Sequence, residues 1–232
     1  MIGSLRDYLK RRLVPSTVIA TSRRRGPARW LMRCRQWLGR PLRVELYFAF
    51  DDPYAAIAVP GLARLCSARK VELRLYPLLQ RGIADDPAAD ARALHALQDA
   101  TRLSRRGGHT GLLRSEPVTA DAVAFLAHWC EALAMPADRL RFASAALEAL
   151  WCDGRSGLQR EAFAQLHRQL TGQLPASGDA QGAALARNAQ RLRQRGHWES
   201  PAACLAGEWF FAHERLAQIA QRLDQYRVGV PA

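Results

Sequence analysis

Leu42-Arg43-Val44-Glu45-Leu46-Tyr47-Phe48-Ala49-Phe50, followed by Asp51-Asp52-Pro53, decides the fold. The run alternates apolar and polar side chains and then turns wholly apolar, as a strand does when it enters a core covered on both faces. Asp51-Asp52-Pro53 ends it. Pro53 suits the first helical position, and Asp52 is a good N-cap just before it. The spacing predicts a helix over residues 54–67, and Val71-Glu72-Leu73-Arg74-Leu75-Tyr76-Pro77 reads as a second strand. Strand, helix and strand in that order predict a right-handed βαβ unit with a parallel pair.

Working outward, the middle of the chain is helical. Asp86-Pro87 repeats the cap-and-proline start and opens a helix to about Arg106, which Gly107-Gly108 stops. Helices are expected over residues 119–134, 137–151 and 159–170, with Gly154, Gly157 and Gly172 as punctuation. A further helix over 181–195 ends at Gly196. Two short strands, Ala202–Leu205 and Glu208–Phe211, then flank Ala206-Gly207 as an antiparallel hairpin, and a helix over 213–226 closes the chain. The expected class is α/β, a thioredoxin-like fold with a helical domain inserted after the second strand. Residues 42–80 and 181–228 would form the thioredoxin-like domain and residues 81–180 the helical insertion.

The 232 residues can bury a sizeable core, and 49% hydrophobic with 24% charged residues excludes a disordered or fibrous chain. No window approaches the roughly 18–20 consecutive apolar residues of a membrane span. Cys34, Cys66, Cys130, Cys152 and Cys204 are odd in number and form no C-x-x-C pair. That argues against a disulfide scaffold, a zinc ribbon and a paired-thiol redox centre, and a reducing, cytoplasmic compartment is expected. His128-Trp129-Cys130 offers two soft ligands at i, i+2, on different helix faces, so no metal site is expected.

The net charge of +13 is uneven. Residues 1–43 hold twelve of the 34 basic residues and one of the 21 acids, leaving 22 basic and 20 acidic residues in the body. The basicity thus sits in an amphipathic N-terminal arm, residues 1–41, with Leu5, Tyr8, Leu9 and Leu13 on one apolar stripe. Trp30, Leu31, Cys34, Trp37 and Leu38 form a second. Three readings stand for it: docking on the body through the apolar face, a membrane surface, or a nucleic acid. Docking would bury Trp30 and Trp37.

Tyr47-Phe48-Ala49-Phe50-Asp51-Asp52-Pro53-Tyr54 resembles the opening "YFDFxSPY" motif of the DsbA-like thioredoxin superfamily. The branch it is most similar to holds 2-hydroxychromene-2-carboxylate isomerases and kappa-class glutathione transferases. Asp99-Ala100-Thr101-Arg102 with Gly107 resembles the branch's "D-x-x-R…G" segment, and residues 147–155 around Trp151 its "lfxaxWxegr" helix end. Residues 188–216 resemble its C-terminal stretch. Gly196-His197-Trp198-Glu199-Ser200-Pro201 takes the place of the cis-proline loop, and residues 210–216 take the place of the final motif. The resemblance covers about residues 42–226 and omits the arm.

It implies glutathione as the ligand, held by Pro53, Tyr54, Ser200, Pro201, Glu214 and Arg215, with Glu214 replacing an Asp at the γ-glutamyl end. Glutathione, or another small-molecule or peptide ligand, is the expected partner, and a homodimer is admitted. The branch places a Ser before the opening proline, where a hydroxyl and the helix N-terminus stabilise a bound thiolate. Here Asp52 stands in that position. A carboxylate favours the thiol over the thiolate and donates no hydrogen bond, so conjugation through a thiolate is disfavoured. Two readings remain open: Asp52 as a catalytic proton-transfer group, or Asp52 as an N-cap on a non-catalytic binding module. The first would make the protein a glutathione-linked isomerase- or transferase-like enzyme with a diverged site.

Overall fold

The structure, a computed structural model, describes residues 30, 32, 34, 35, 37–82, 86–106, 111, 112, 114, 116–152, 159–177 and 181–226. Residues 43–223 make one compact unit, and residues 1–42 with 224–232 make another. The elements run β1 (Arg43–Ala49), α1 (Ala55–Ala68), β2 (Glu72–Leu78), α2 (Ala89–Arg106), α3 (Ala120–Ala132), α4 (Pro136–Trp151), α5 (Arg160–Thr171), α6 (Gly182–Gln194), β3 (Ala202–Leu205), β4 (Glu208–Phe211) and α7 (Leu216–Tyr226).

The strands form one sheet in the order β2-β1-β3-β4. β1 pairs parallel with β2 and antiparallel with β3, and β3 pairs antiparallel with β4. This is the α/β class read from the sequence, with helices between the second and third strands. β1 is central and covered on both faces. Tyr47 and Ala49 join Leu78, Leu192 and Ala202 in a cluster under α6. Val44, Leu46 and Phe48 on the other face are fully buried, and α1 packs against β1 and β2.

The β2 edge is closed by side chains rather than by a strand. The Arg139 guanidinium of α4 donates to the Leu75 carbonyl at 3.1 Å, and the Asn188 amide of α6 donates to the Pro77 carbonyl at 3.1 Å. Pro77 has no N–H to leave unpaired, so this edge offers little to another strand. The helical region also reaches the end of β1: the Trp151 indole N–H donates to the Phe50 carbonyl at 3.1 Å. That bond fixes the turn from which α1 starts.

Two helices begin later than the sequence pattern indicates. Asp86 caps a turn, accepting from the Ala88 N–H at 2.9 Å, before α2 starts at Ala89. After β4, the N–H groups of Glu214 and Arg215 both donate to the Phe211 carbonyl, so residues 213–215 form a tight turn and α7 starts at Leu216. α1 and α7 meet closely at Gly61, where an added Cβ would stand 2.7 Å from a Leu216 methyl.

Gly107, Gly108, Gly154, Arg155 and Gly157 lie outside the described residues, as does most of the arm. Trp30 and Trp37 are described, and they are 68% and 93% exposed. Among the described residues, no helix is long and apolar enough to cross a membrane.

Candidate functional site

The start of α1 collects the charged groups. Asp52 Oδ1 accepts from the Tyr54 N–H at 3.1 Å, and the Asp52 carbonyl accepts from the Ala55 N–H at 2.9 Å. The sequence reading made Asp52 the helix N-cap; instead the N-cap is Tyr54, which has no side-chain cap bond, and Asp52 closes the turn just ahead of the helix. The Asp52 side chain is fully buried. Its nearest cation is Arg81, whose Nε stands 4.0 Å from Oδ1, too far for a hydrogen bond. Oδ2 closes no hydrogen bond among the described residues, although the Ser200 hydroxyl lies near enough to favour the ionised form. Burial has the largest effect and pushes the Asp52 carboxyl up to about 7, with Arg81 and Ser200 opposing and Asp51 adding repulsion.

Asp51 differs in access. It lines a cleft of about 220 Å³ together with Arg81, Asp86, Asp90, Arg92 and Glu199. Its Oδ1 is shielded from solvent and unpaired. Burial raises its carboxyl above the usual range, against the Arg81 backbone N–H, which favours the charge. Two adjacent carboxyls have raised proton affinity beside the Arg81 guanidinium, and the Asp52 carboxyl, at about 7, can hold or release a proton near neutrality.

Tyr54 anchors the opposite side. Its hydroxyl donates to Asp99 of α2 at 2.9 Å, and burial pushes the phenol well above its usual range. Arg81 sits 5.5 Å over its ring, and the His213 ring stacks on it with centroids 4.0 Å apart. Burial lowers His213 to about 4, so the imidazole is neutral at pH 7 and its 3.8 Å approach to Glu214 is no ion pair there.

The Ser200–Pro201 peptide is cis, and the Ser200 hydroxyl accepts from the Ala49 N–H at 3.0 Å. The structure thus brings together Asp52, Pro53, Tyr54, Ser200 and Pro201, all of them buried. Glu214 and Arg215 are exposed on the turn after β4, linked to the rest through His213. Asp52 and Ser200 are themselves enclosed, and the neighbours Asp51 and Glu199 line a cleft beside them.

The fold has counterparts among solved structures. Over 79% of this chain and 95% of the other, it is similar to 2-hydroxychromene-2-carboxylate isomerase, with a TM-score of 0.67 and 18% identity. Over 82% and 93%, it is similar to a probable DsbA oxidoreductase from Streptomyces coelicolor, with a TM-score of 0.55 and 16% identity. The chain shares the thioredoxin-like fold of these two structures. No family model and no curated protein matches the sequence.

The position before Pro53 carries the Asp52 carboxyl and no thiol. Sequence reasoning fixed on Asp52 and passed over its neighbour, which is the one that meets the cleft. It also gave no role to Arg81 or His213. Asp99 was quoted as part of a motif, and its contact with Tyr54 spans 45 residues. A cation just beyond the end of a buried strand and a histidine just after a hairpin were the only local signals for Arg81 and His213.

Proposed function

We propose that this chain is a glutathione-linked, isomerase-like protein of the DsbA-like superfamily that moves protons through Asp51 and Asp52 and does not stabilise a thiolate. The observation that carries this reading is the buried Asp52 carboxyl, raised to about 7 with one oxygen unpaired, next to Asp51 at the cleft. An isomerisation needs a group that takes a proton from one atom and returns it to another. A carboxyl poised near the working pH does both with little cost. A thiolate-based transfer needs a hydrogen-bond donor and positive potential, and the α1 entrance offers two carboxyls instead.

Asp51 would meet the ligand and its charge would help to raise the proton affinity of Asp52 behind it, and Arg81 would hold negative charge that develops on the substrate. Ser200 and Pro201 would present backbone to an extended ligand, and Glu214 would take its ammonium end, with Arg215 beside it. Glutathione is the ligand this assigns, and the neighbour's namesake compound, 2-hydroxychromene-2-carboxylate, is the first substrate to try.

The second reading is a non-catalytic binding module. What favours it is the complete enclosure of Asp52 and its bond from the Tyr54 N–H, both of which a scaffold would need equally. The test is glutathione binding by calorimetry, then isomerisation followed by absorbance with and without glutathione. The isomerase reading expects binding, glutathione-dependent turnover, and a loss of a hundredfold or more in kcat for Asp51→Asn. Binding without turnover of any 2-hydroxychromene analogue would leave the module; no binding at millimolar glutathione would remove the glutathione assignment.

A further inference from the structure

A second cavity, of about 490 Å³, lies next to the acidic cleft, between the end of β2, α6 and the loop that carries Trp198. Leu78, Leu79, Leu185, Leu192, Trp198 and Arg193 dominate its wall. Its size falls in the range of about 300–1,000 Å³ typical of small-molecule sites. Gly82 belongs to both cavities, and the loop residues divide between them: Trp198 faces this one and Glu199 the acidic one.

The wall is unlike its neighbour's in charge. Among its described residues Arg193 is the one charged group, and no ion pair of Arg193 occurs among the described residues. The adjacent cleft holds four carboxyls, Asp51, Asp86, Asp90 and Glu199, against two arginines. An anionic head group is therefore repelled from one cavity and attracted to the rim of the other. The apolar side is aliphatic apart from Trp198, and Leu79 and Trp198 remain 44% and 52% exposed. Such surface gains most from a flexible alkyl chain, which can follow leucine and alanine side chains and needs no polar partner.

We propose that this cavity binds an amphiphilic anion, a free medium- or long-chain carboxylate, with the chain between β2 and α6 and the head group on Arg193. The site does not depend on the isomerase reading. The chemistry at Asp51 and Asp52 and the binding of a chain at Leu185 and Leu192 use different walls.

Titration calorimetry with decanoate, dodecanoate and dodecylammonium, each below its micellar concentration, tests this. Dodecanoate should bind roughly fifteenfold tighter than decanoate, since each of its two extra buried methylenes strengthens binding about fourfold. Dodecylammonium should bind at least tenfold more weakly than dodecanoate, and Arg193→Glu should reverse that preference. Ala186→Trp, placed on the exposed side of the lining, should abolish both carboxylates, and Asp52→Asn should leave them unchanged. No heat from dodecanoate with the native chain overturns the proposal, as does binding indifferent to Ala186→Trp. Equal affinity for dodecanoate and dodecylammonium overturns the assignment of Arg193. A loss confined to Asp52→Asn would move the site to the acidic cleft.

Discussion

Glu45 and Asp52 are two buried carboxylates seven positions apart, and the protein treats them in opposite ways. Glu45 lies on central strand β1 and is 9% exposed. Arg191 reaches its Oε1 at 3.0 Å, Arg195 bonds its Oε2, and the Tyr47 hydroxyl stands 3.5 Å from the same oxygen. Arg195 also meets Cys204 at 3.0 Å and lies 5.3 Å over the Trp209 ring. Asp52 has a backbone N–H on one oxygen, a distant guanidinium, and nothing closed on the other. Burial alone does not make a carboxyl reactive; burial without full compensation does. Glu45 is tied to two arginines as part of the core, whereas Asp52 is left with an affinity for protons near pH 7.

Removing the two carboxylates should separate these roles. Glu45→Ala strands Arg195 and Arg191 against an apolar sheet face and should cost about 3 kcal/mol by urea unfolding. Asp52→Asn keeps an oxygen that can accept from the Tyr54 N–H and removes a charge the site disfavours, so its change at pH 7 should stay within about 1 kcal/mol. If Asp52→Asn proves the more damaging of the two, the contrast is wrong.

The pH dependence sharpens the same point. Asp52 has a folded-state value of about 7 against an ordinary 3.8, so between those limits the folded chain binds more protons than the unfolded one. Stability from this group is therefore present at low pH and lost as pH rises through about 4 to 7. His213, lowered to about 4, acts in the opposite sense over about pH 4 to 6.5. The native chain should accordingly lose stability relative to Asp52→Asn on going from pH 4 to pH 7, on the order of 2 kcal/mol. Parallel pH profiles for the two proteins would contradict this.

Much of this was legible in the sequence, and the reason is local. The alternation from Leu42 to Phe50, the Asp-Pro start and the Ala206-Gly207 turn each encode their element within a few residues, and β3 and β4 fall where the pattern puts them. Asp52 at the turn before α1 was legible for the same reason, although the N-cap position itself falls to Tyr54. Which of Asp51 and Asp52 would meet the cleft was not, because it depends on side-chain direction in a turn fixed by Trp151 from α4. Arg81 lies 29 positions from Asp52, and no period or motif ties the two before the chain folds.

Two smaller effects complete the comparison. Tyr54→Phe deletes the bond to Asp99 and leaves that carboxylate one donor short, which should cost about 1 kcal/mol in thermal or urea unfolding. Arg191→Met removes the more exposed of the two Glu45 partners, its side chain 46% accessible, and should cost about 0.5 kcal/mol while Arg195 keeps the carboxylate paired. A larger loss at Arg191 than at Tyr54 would mean that the Glu45 cluster depends on both arginines.

The most direct measurement is the titration of Asp52 itself, by carbon-detected NMR of the side-chain carboxyl in uniformly labelled protein, with Asp52→Asn to assign the signal. A carboxyl that titrates near pH 7, and so remains substantially protonated at neutrality, is the result expected from its burial and its unpaired oxygen. A signal that titrates at or below pH 4 would place Asp52 with Glu45 as a structural carboxylate and would contradict the proton-transfer account.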